Sequence, residues 1–121
     1  MKRPEQALQR AVVDYLRLAL PSHIVIHVPN GGGRSHIEAA ILKGIGVRAG
    51  VADLLIMGDG RVWHLELKRP GGRQSPAQVG YQAECVAKGL PYAVASSLEE
   101  VEAALASWGL EPRARIQGGA R

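Results

Sequence analysis

Gly50-Val51-Ala52-Asp53 and His64-Leu65-Glu66-Leu67-Lys68 are the two segments whose reading decides the fold. Asp53 opens a short apolar run, Leu54 to Met57, and Val62 to Lys68 makes a second run. Between them lies Gly58-Asp59-Gly60, a turn signal, so the pair predicts a β-hairpin. Side chains alternate faces along a strand. Trp63, Leu65 and Leu67 therefore share one face, and His64, Glu66 and Lys68 share the other. The hairpin folds Asp53 back beside Glu66, which puts two carboxylates and an ammonium on one side of a sheet.

Those residue types suit phosphodiester hydrolysis. That reaction needs a cation against the phosphoryl oxygens and an activated water. Carboxylates are natural ligands of Mg²⁺, which takes one or two of them with waters and substrate phosphate. A neighbouring lysine can orient the water or offset developing negative charge. Asp followed by a strand bearing Glu-x-Lys is the pattern of the PD-(D/E)xK nucleases. Four ordered segments extend the match. Asn30-Gly31-Gly32, Gly46-Val47-x-Ala49-Gly50-Val51-x-Asp53-Leu54, Leu65-Glu66-Leu67-Lys68 and Ser75-Pro76-x-Gln78 together resemble the virus-type replication-repair nuclease (VRR-NUC) family. The resemblance runs from Glu5 to Trp108. One departure is Ala52, where the family usually has a proline that shapes the backbone and carries no chemistry.

The resemblance implies a restriction-endonuclease-like α/β core, a mixed central sheet flanked by helices in the order α-β-α-β-β-α-β-α. It implies a metal-dependent DNA endonuclease using Mg²⁺ or Mn²⁺. The metal would lie at Asp53, Glu66 and the Leu67 backbone carbonyl, with Glu5 contributing directly or through water. Lys68 would activate water and Gln78 would support the site. Small stand-alone members of the family are typically bacterial or phage proteins that cut branched DNA as dimers. A Holliday-junction-resolvase-like homodimer is therefore expected. The alternatives are a nuclease-like module that binds nucleic acid without cutting it, and a purely structural domain.

Composition bounds these readings. The chain has 121 residues, which fits one domain, here 1–110, followed by a basic tail, 111–121, expected to be flexible. Hydrophobic residues make up 46%, which excludes global disorder. With no Phe, aliphatic side chains must fill the core. The single Cys85 excludes an internal disulfide and a cysteine-rich zinc site. No signal peptide or membrane-length apolar run is visible, so a soluble cytoplasmic protein with no membrane partner is predicted. The formal charge of +4 permits a polyanionic partner such as DNA.

The rest of the chain places the candidates. Leu8, Val12, Tyr15, Leu16 and Ala19 recur at helical spacing, and Pro21 ends the run. Glu5 projects onto that stripe; its position fits a macrodipole role equally well. Ile24 to Val28 reads as a strand. Pro29 to Arg34 is a glycine-rich loop, either a plain connection or a segment that offers backbone N–H groups to phosphate. Asn30 and Arg34 are its candidate DNA contacts. Ser35 caps a helix from His36 to Lys43 that Gly44 stops. Lys43, Arg48, Arg69 and Arg73 are further candidate phosphate contacts or solvated surface charges. Ser75, Pro76 and Gln78 form the N-cap, N1 and N3 of a capping box, a role that competes with a site role for Gln78. Val79, Ala83, Val86 and Leu90 are expected to be that helix's buried stripe. Tyr92 to Ala95 is a last strand, and a capped helix reaches Trp108 with Leu98, Val101, Ala104 and Leu105 inward. Of the four histidines, His64 lies on the Glu66 face, and His23 and His27 share a strand face. None has zinc-site spacing.

Overall fold

A computed structural model describes residues 4–29 and 35–113. The elements are α1 (Pro4–Ala19), β1 (Ile24–His27), α2 (His36–Gly44), β2 (Leu54–Gly58), β3 (Arg61–Leu67), α3 (Pro76–Ala87), β4 (Tyr92–Ala95) and α4 (Leu98–Ser107). The strands form one sheet in the order β1-β2-β3-β4. The first two pairings are antiparallel and β3 with β4 is parallel. A parallel neighbour needs a crossover, and α3 supplies it. The mixed α/β architecture read from the sequence is the one observed.

The hairpin forms because Asp59 and Gly60 can both take positive φ, 55° and 71°. Gly58 pairs with Arg61, so the loop has two residues. This is the geometry whose twist matches the flanking strands. Its register sets the two faces. Val25, Leu54, Ile56, Trp63, Leu65, Leu67 and Ala95 pack with Val12, Leu16 and Ala19 of α1 and Val101 and Leu105 of α4. Each fully buried Leu or Ile contributes about 1.5–3 kcal/mol. The core therefore lies on one side of the sheet, and the opposite side carries His64 and Glu66.

α3 departs from expectation. Its capping box is present, with Ser75 and Gln78 exchanging hydrogen bonds at 3.2 and 2.8 Å. Its stripe is inverted, however. Val79, Val86 and Leu90 are exposed and so is Ala83. The inward residues are Gln78, Tyr81, Gln82 and Cys85, again at helical spacing. The sheet beneath carries buried polar groups, which require hydrogen-bond partners. From the inward face of α3, Gln82 accepts from Gln74, which in turn donates to Glu66, a link an apolar face could not make.

α2 has the expected Ser35 cap, here a box with Glu38, and runs one residue longer, through Gly44. The left-handed residue after it is Gly46 rather than Gly44. None of its residues is buried. At the other end of the chain, Arg113 N–H donates to Ala19 O at 2.7 Å, so the segment after α4 is tied to α1 as far as Arg113. The rest of the expected tail, 114–121, lies outside the described residues. No helix among the described residues is long and apolar enough to cross a membrane.

The segment before Asp53 docks onto α3. Gly50 has φ 84°, and a Cβ there would collide with the Ala77 carbonyl. Gly50→Ala should therefore cost more than about 1 kcal/mol, because both its conformation and its space are denied to alanine. Gly80, in the interior of α3, faces open space, with nothing beyond its own helix backbone and chain neighbours within 4 Å of where a Cβ would stand. Gly80→Ala should stabilise by about 0.5–1 kcal/mol. Urea unfolding of the two variants checks this pair of opposite signs.

Candidate active site

The site forms where β2 and β3 part. Asp53 immediately precedes β2, and its Oδ2 accepts the Leu67 N–H at 2.7 Å. A side-chain carboxylate thus takes the place of a ladder carbonyl at the end of the hairpin. Asp53 O accepts from Val28 N–H at 2.8 Å, which ties β1 to the same point. His27 Nδ1 lies 2.9 Å from that carbonyl oxygen and, to bond it, must carry the proton.

Glu66 is the second carboxylate and is fully buried. Its Oε1 accepts from Gln74 Nε2 at 2.9 Å and from the Tyr92 hydroxyl at 2.5 Å. Its Oε2 is buried with no hydrogen-bond partner among the described residues. Gln74 Nε2 also donates to Gln82 Oε1 at 2.7 Å. Tyr92 stacks near His64, with centroids 6.1 Å apart, and both rings meet Tyr81 of α3. His64 is thus a core histidine, its Nδ1 3.2 Å from Pro91 O.

Electrostatics follow from this burial. Desolvation pushes the Asp53 carboxyl above its usual range; the Leu67 N–H opposes this, Glu66 adds to it, and Lys68 and His27 draw it down. Burial, and then the bond to Glu66, push the Tyr92 hydroxyl up, so it remains a donor. A buried carboxylate repels the half-buried one beside it, and an unpaired buried carboxylate oxygen is costly. The donors present are all oxygens: Asp53, Glu66 Oε2 and the Leu67 carbonyl at the same strand end. That set fits a hard divalent cation, for which two carboxylates suffice.

The other expected residues fall in three groups. Lys68 follows β3 directly, half-buried and near enough to Asp53 to lower its pKa. Arg69 and Arg73 are exposed on the loop between Lys68 and Gln74, at the rim of the site. Lys43 is exposed at the end of α2. Arg48 is engaged within the protein: it pairs with Glu84 at 2.6 Å and lies 5.1 Å above the Tyr81 ring. Lys88 and Arg48 together hold the Glu84 carboxyl down at about 2. Gln78 gives its side-chain oxygen to the Ser75 N–H. Glu5 is exposed in the first turn of α1. Among the described residues, no three acidic, histidine or cysteine side chains gather into a metal-holding group, so Glu5 does not join Asp53 and Glu66 in one. Asn30 and Arg34 lie outside the described residues.

Sequence reading missed Gln74, Gln82 and Tyr92. The helical spacing of Gln78, Tyr81, Gln82 and Cys85 was a legible signal of a polar inward face. Tyr92 carried none, because its place beside Glu66 depends on the register of a parallel pair.

The sequence matches no protein-family model and no curated protein. The fold does match solved structures. A "VRR_NUC domain protein" superimposes with a TM-score of 0.68 at 21% identity, covering 89% of each chain. A "VRR_NUC domain" gives 0.59 at 20% identity, covering 88% of this chain and 97% of that one. The chain therefore has a VRR_NUC-type, restriction-endonuclease-like fold.

Proposed function

We propose that the protein is a Mg²⁺- or Mn²⁺-dependent deoxyribonuclease that hydrolyses phosphodiester bonds in branched DNA. The observation that carries this reading is Glu66 Oε2, buried without a partner among the described residues and beside a second carboxylate, in a VRR_NUC-type fold. Asp53, Glu66 and the Leu67 carbonyl would hold the ion, and Glu5 has a place only through water. Such an ion, when bound, supplies Lewis acidity toward the phosphoryl oxygens and a lowered water pKa. Asp53 is fixed for this by the Leu67 N–H. Lys68 places an ammonium where it can orient the attacking water and offset charge on the phosphoryl group. Arg69 and Arg73, with Lys43, Asn30 and Arg34, would contact backbone phosphates, which carry register and no sequence information. Arg48, already paired with Glu84, positions the loop before Asp53. Gln78 supports the site by capping α3.

A homodimer accompanies this reading. Two symmetric strand cuts at a four-way junction call for two sites related by a two-fold axis. Uncovered apolar side chains support self-association: Ile37, Ile41 and Ile45 at α2 and its C-cap are 74%, 59% and 74% exposed.

Cleavage of a four-way junction, a flap and a linear duplex, with Mg²⁺, Mn²⁺ or EDTA, tests the activity. Metal-dependent cutting that favours the branched DNAs is expected. Binding without cutting would leave a nucleic-acid-binding module.

Mn²⁺ at about one hundred times its Kd should stabilise the fold by about 2.7 kcal/mol, read as a rise in Tm. Asp53→Asn and Glu66→Gln should remove that rise.

Lys68→Met should leave DNA affinity nearly intact and lower the single-turnover rate by orders of magnitude, the pattern of an interaction made in the transition state.

Light scattering should report a dimer at low micromolar concentration, and Ile41→Asp should convert it to monomer.

A further inference from the structure

The two oxygens of Glu66 have different surroundings. Oε1 receives two hydrogen bonds, from Gln74 Nε2 and Tyr92 OH, and these fill the lone-pair sites of one carboxylate oxygen. Oε2 receives none among the described residues. The donors are themselves fixed. A carboxylate can only accept, so the Gln74 amide must turn its nitrogen toward Glu66; its second N–H then meets Gln82 Oε1 at 2.7 Å. Tyr92 is held between His64 and Tyr81. The anchors come from three places: the loop after β3, the first residue of β4, and α3. Rotating the carboxylate to offer both oxygens to one ion would break two hydrogen bonds in a buried site.

That asymmetry has a consequence for ion choice. Ca²⁺ takes about six to eight oxygens in flexible geometry and readily accepts a bidentate carboxylate, whereas Mg²⁺ demands a near-ideal octahedron and keeps several waters. We propose that Gln74 and Tyr92 are positioning residues that confine Glu66 to a single ligating oxygen, so that the site prefers Mg²⁺ over Ca²⁺. The inference rests on Glu66 being a ligand, as in the function proposed above.

The test measures Mg²⁺ and Ca²⁺ affinity by competition against Mn²⁺ in calorimetry. The proteins are the wild type, Tyr92→Phe, Gln74→Leu and Glu66→Gln, each checked for folding by circular dichroism. Tyr92→Phe keeps the ring and deletes only the hydroxyl, so it decides the matter alone if Gln74→Leu does not fold. Mg²⁺ affinity should fall about tenfold in the clamp variants, as for other residues that orient a metal ligand. Ca²⁺ affinity should hold or rise, because the freed Oε1 completes a bidentate contact. The Mg²⁺/Ca²⁺ preference should thus shrink about tenfold. General loosening would weaken both ions alike and leave the preference unchanged, and that result in folded Tyr92→Phe overturns the inference. Absent Mn²⁺ binding in the wild type, or wild-type binding in Glu66→Gln, removes Glu66 as a ligand and the inference with it.

Discussion

A carboxylate with no solvent exposure sits on the inner surface of the central strand β3. Much of the surrounding structure is a response to that group. Burying an ionisable side chain is tolerated only when its oxygens are bonded or paired. Gln74 and Tyr92 satisfy one oxygen of Glu66, and Gln82 and two aromatic rings hold those partners in turn. The polar inward face of α3 follows from the same need at one remove, since its Gln82 holds Gln74. So does the exposure of Val79 and Val86, since a helix cannot direct both faces at one sheet.

Asp53 depends on a different device. It stands at the strand end, where the backbone ladder stops, and its side chain continues the ladder by taking the Leu67 N–H. The approach to Asp53 is held from two sides. Gly50 lies against the first turn of α3, where no Cβ fits. Arg48 is clasped by Glu84 and the Tyr81 ring of the same helix. α3 therefore bears on both carboxylates, on Glu66 through the Gln74 amide that Gln82 holds and on Asp53 through the backbone that leads into it.

The two sides of the sheet serve separate ends. α1 and α4 cover one side with aliphatic core, the main source of stability in a chain without Phe. On the other side α3 lies over β4 and reaches His64 of β3 through Tyr81, while Ile24 and Ile26 of β1 remain exposed. α2 buries no residue and leaves Ile37 and Ile41 uncovered. The apolar surface that the chain leaves open thus lies on different elements from the carboxylate pair.

The sequence by itself determined what is local. Alternation in two short runs placed Glu66 and Leu65 on opposite faces, and Asp59-Gly60 set the hairpin register that returns Asp53 to Glu66. Ser35 and Ser75 marked helix starts, since a cap is made within four residues. The four ordered motifs were enough to name the VRR_NUC-type fold. Tertiary structure decided what depends on distant partners. Apolar spacing in α3 predicted the wrong inward face, because periodicity registers apolar side chains and cannot register a buried carboxylate on another element. Arg48 read as a free cation until Glu84, far along the chain on α3, proved to be its partner. Tyr92 reaches Glu66 only through the parallel pairing of β3 with β4, a register that no turn sequence encodes. Local backbone chemistry is written in neighbouring residues, whereas the partners of a buried charge are chosen by packing.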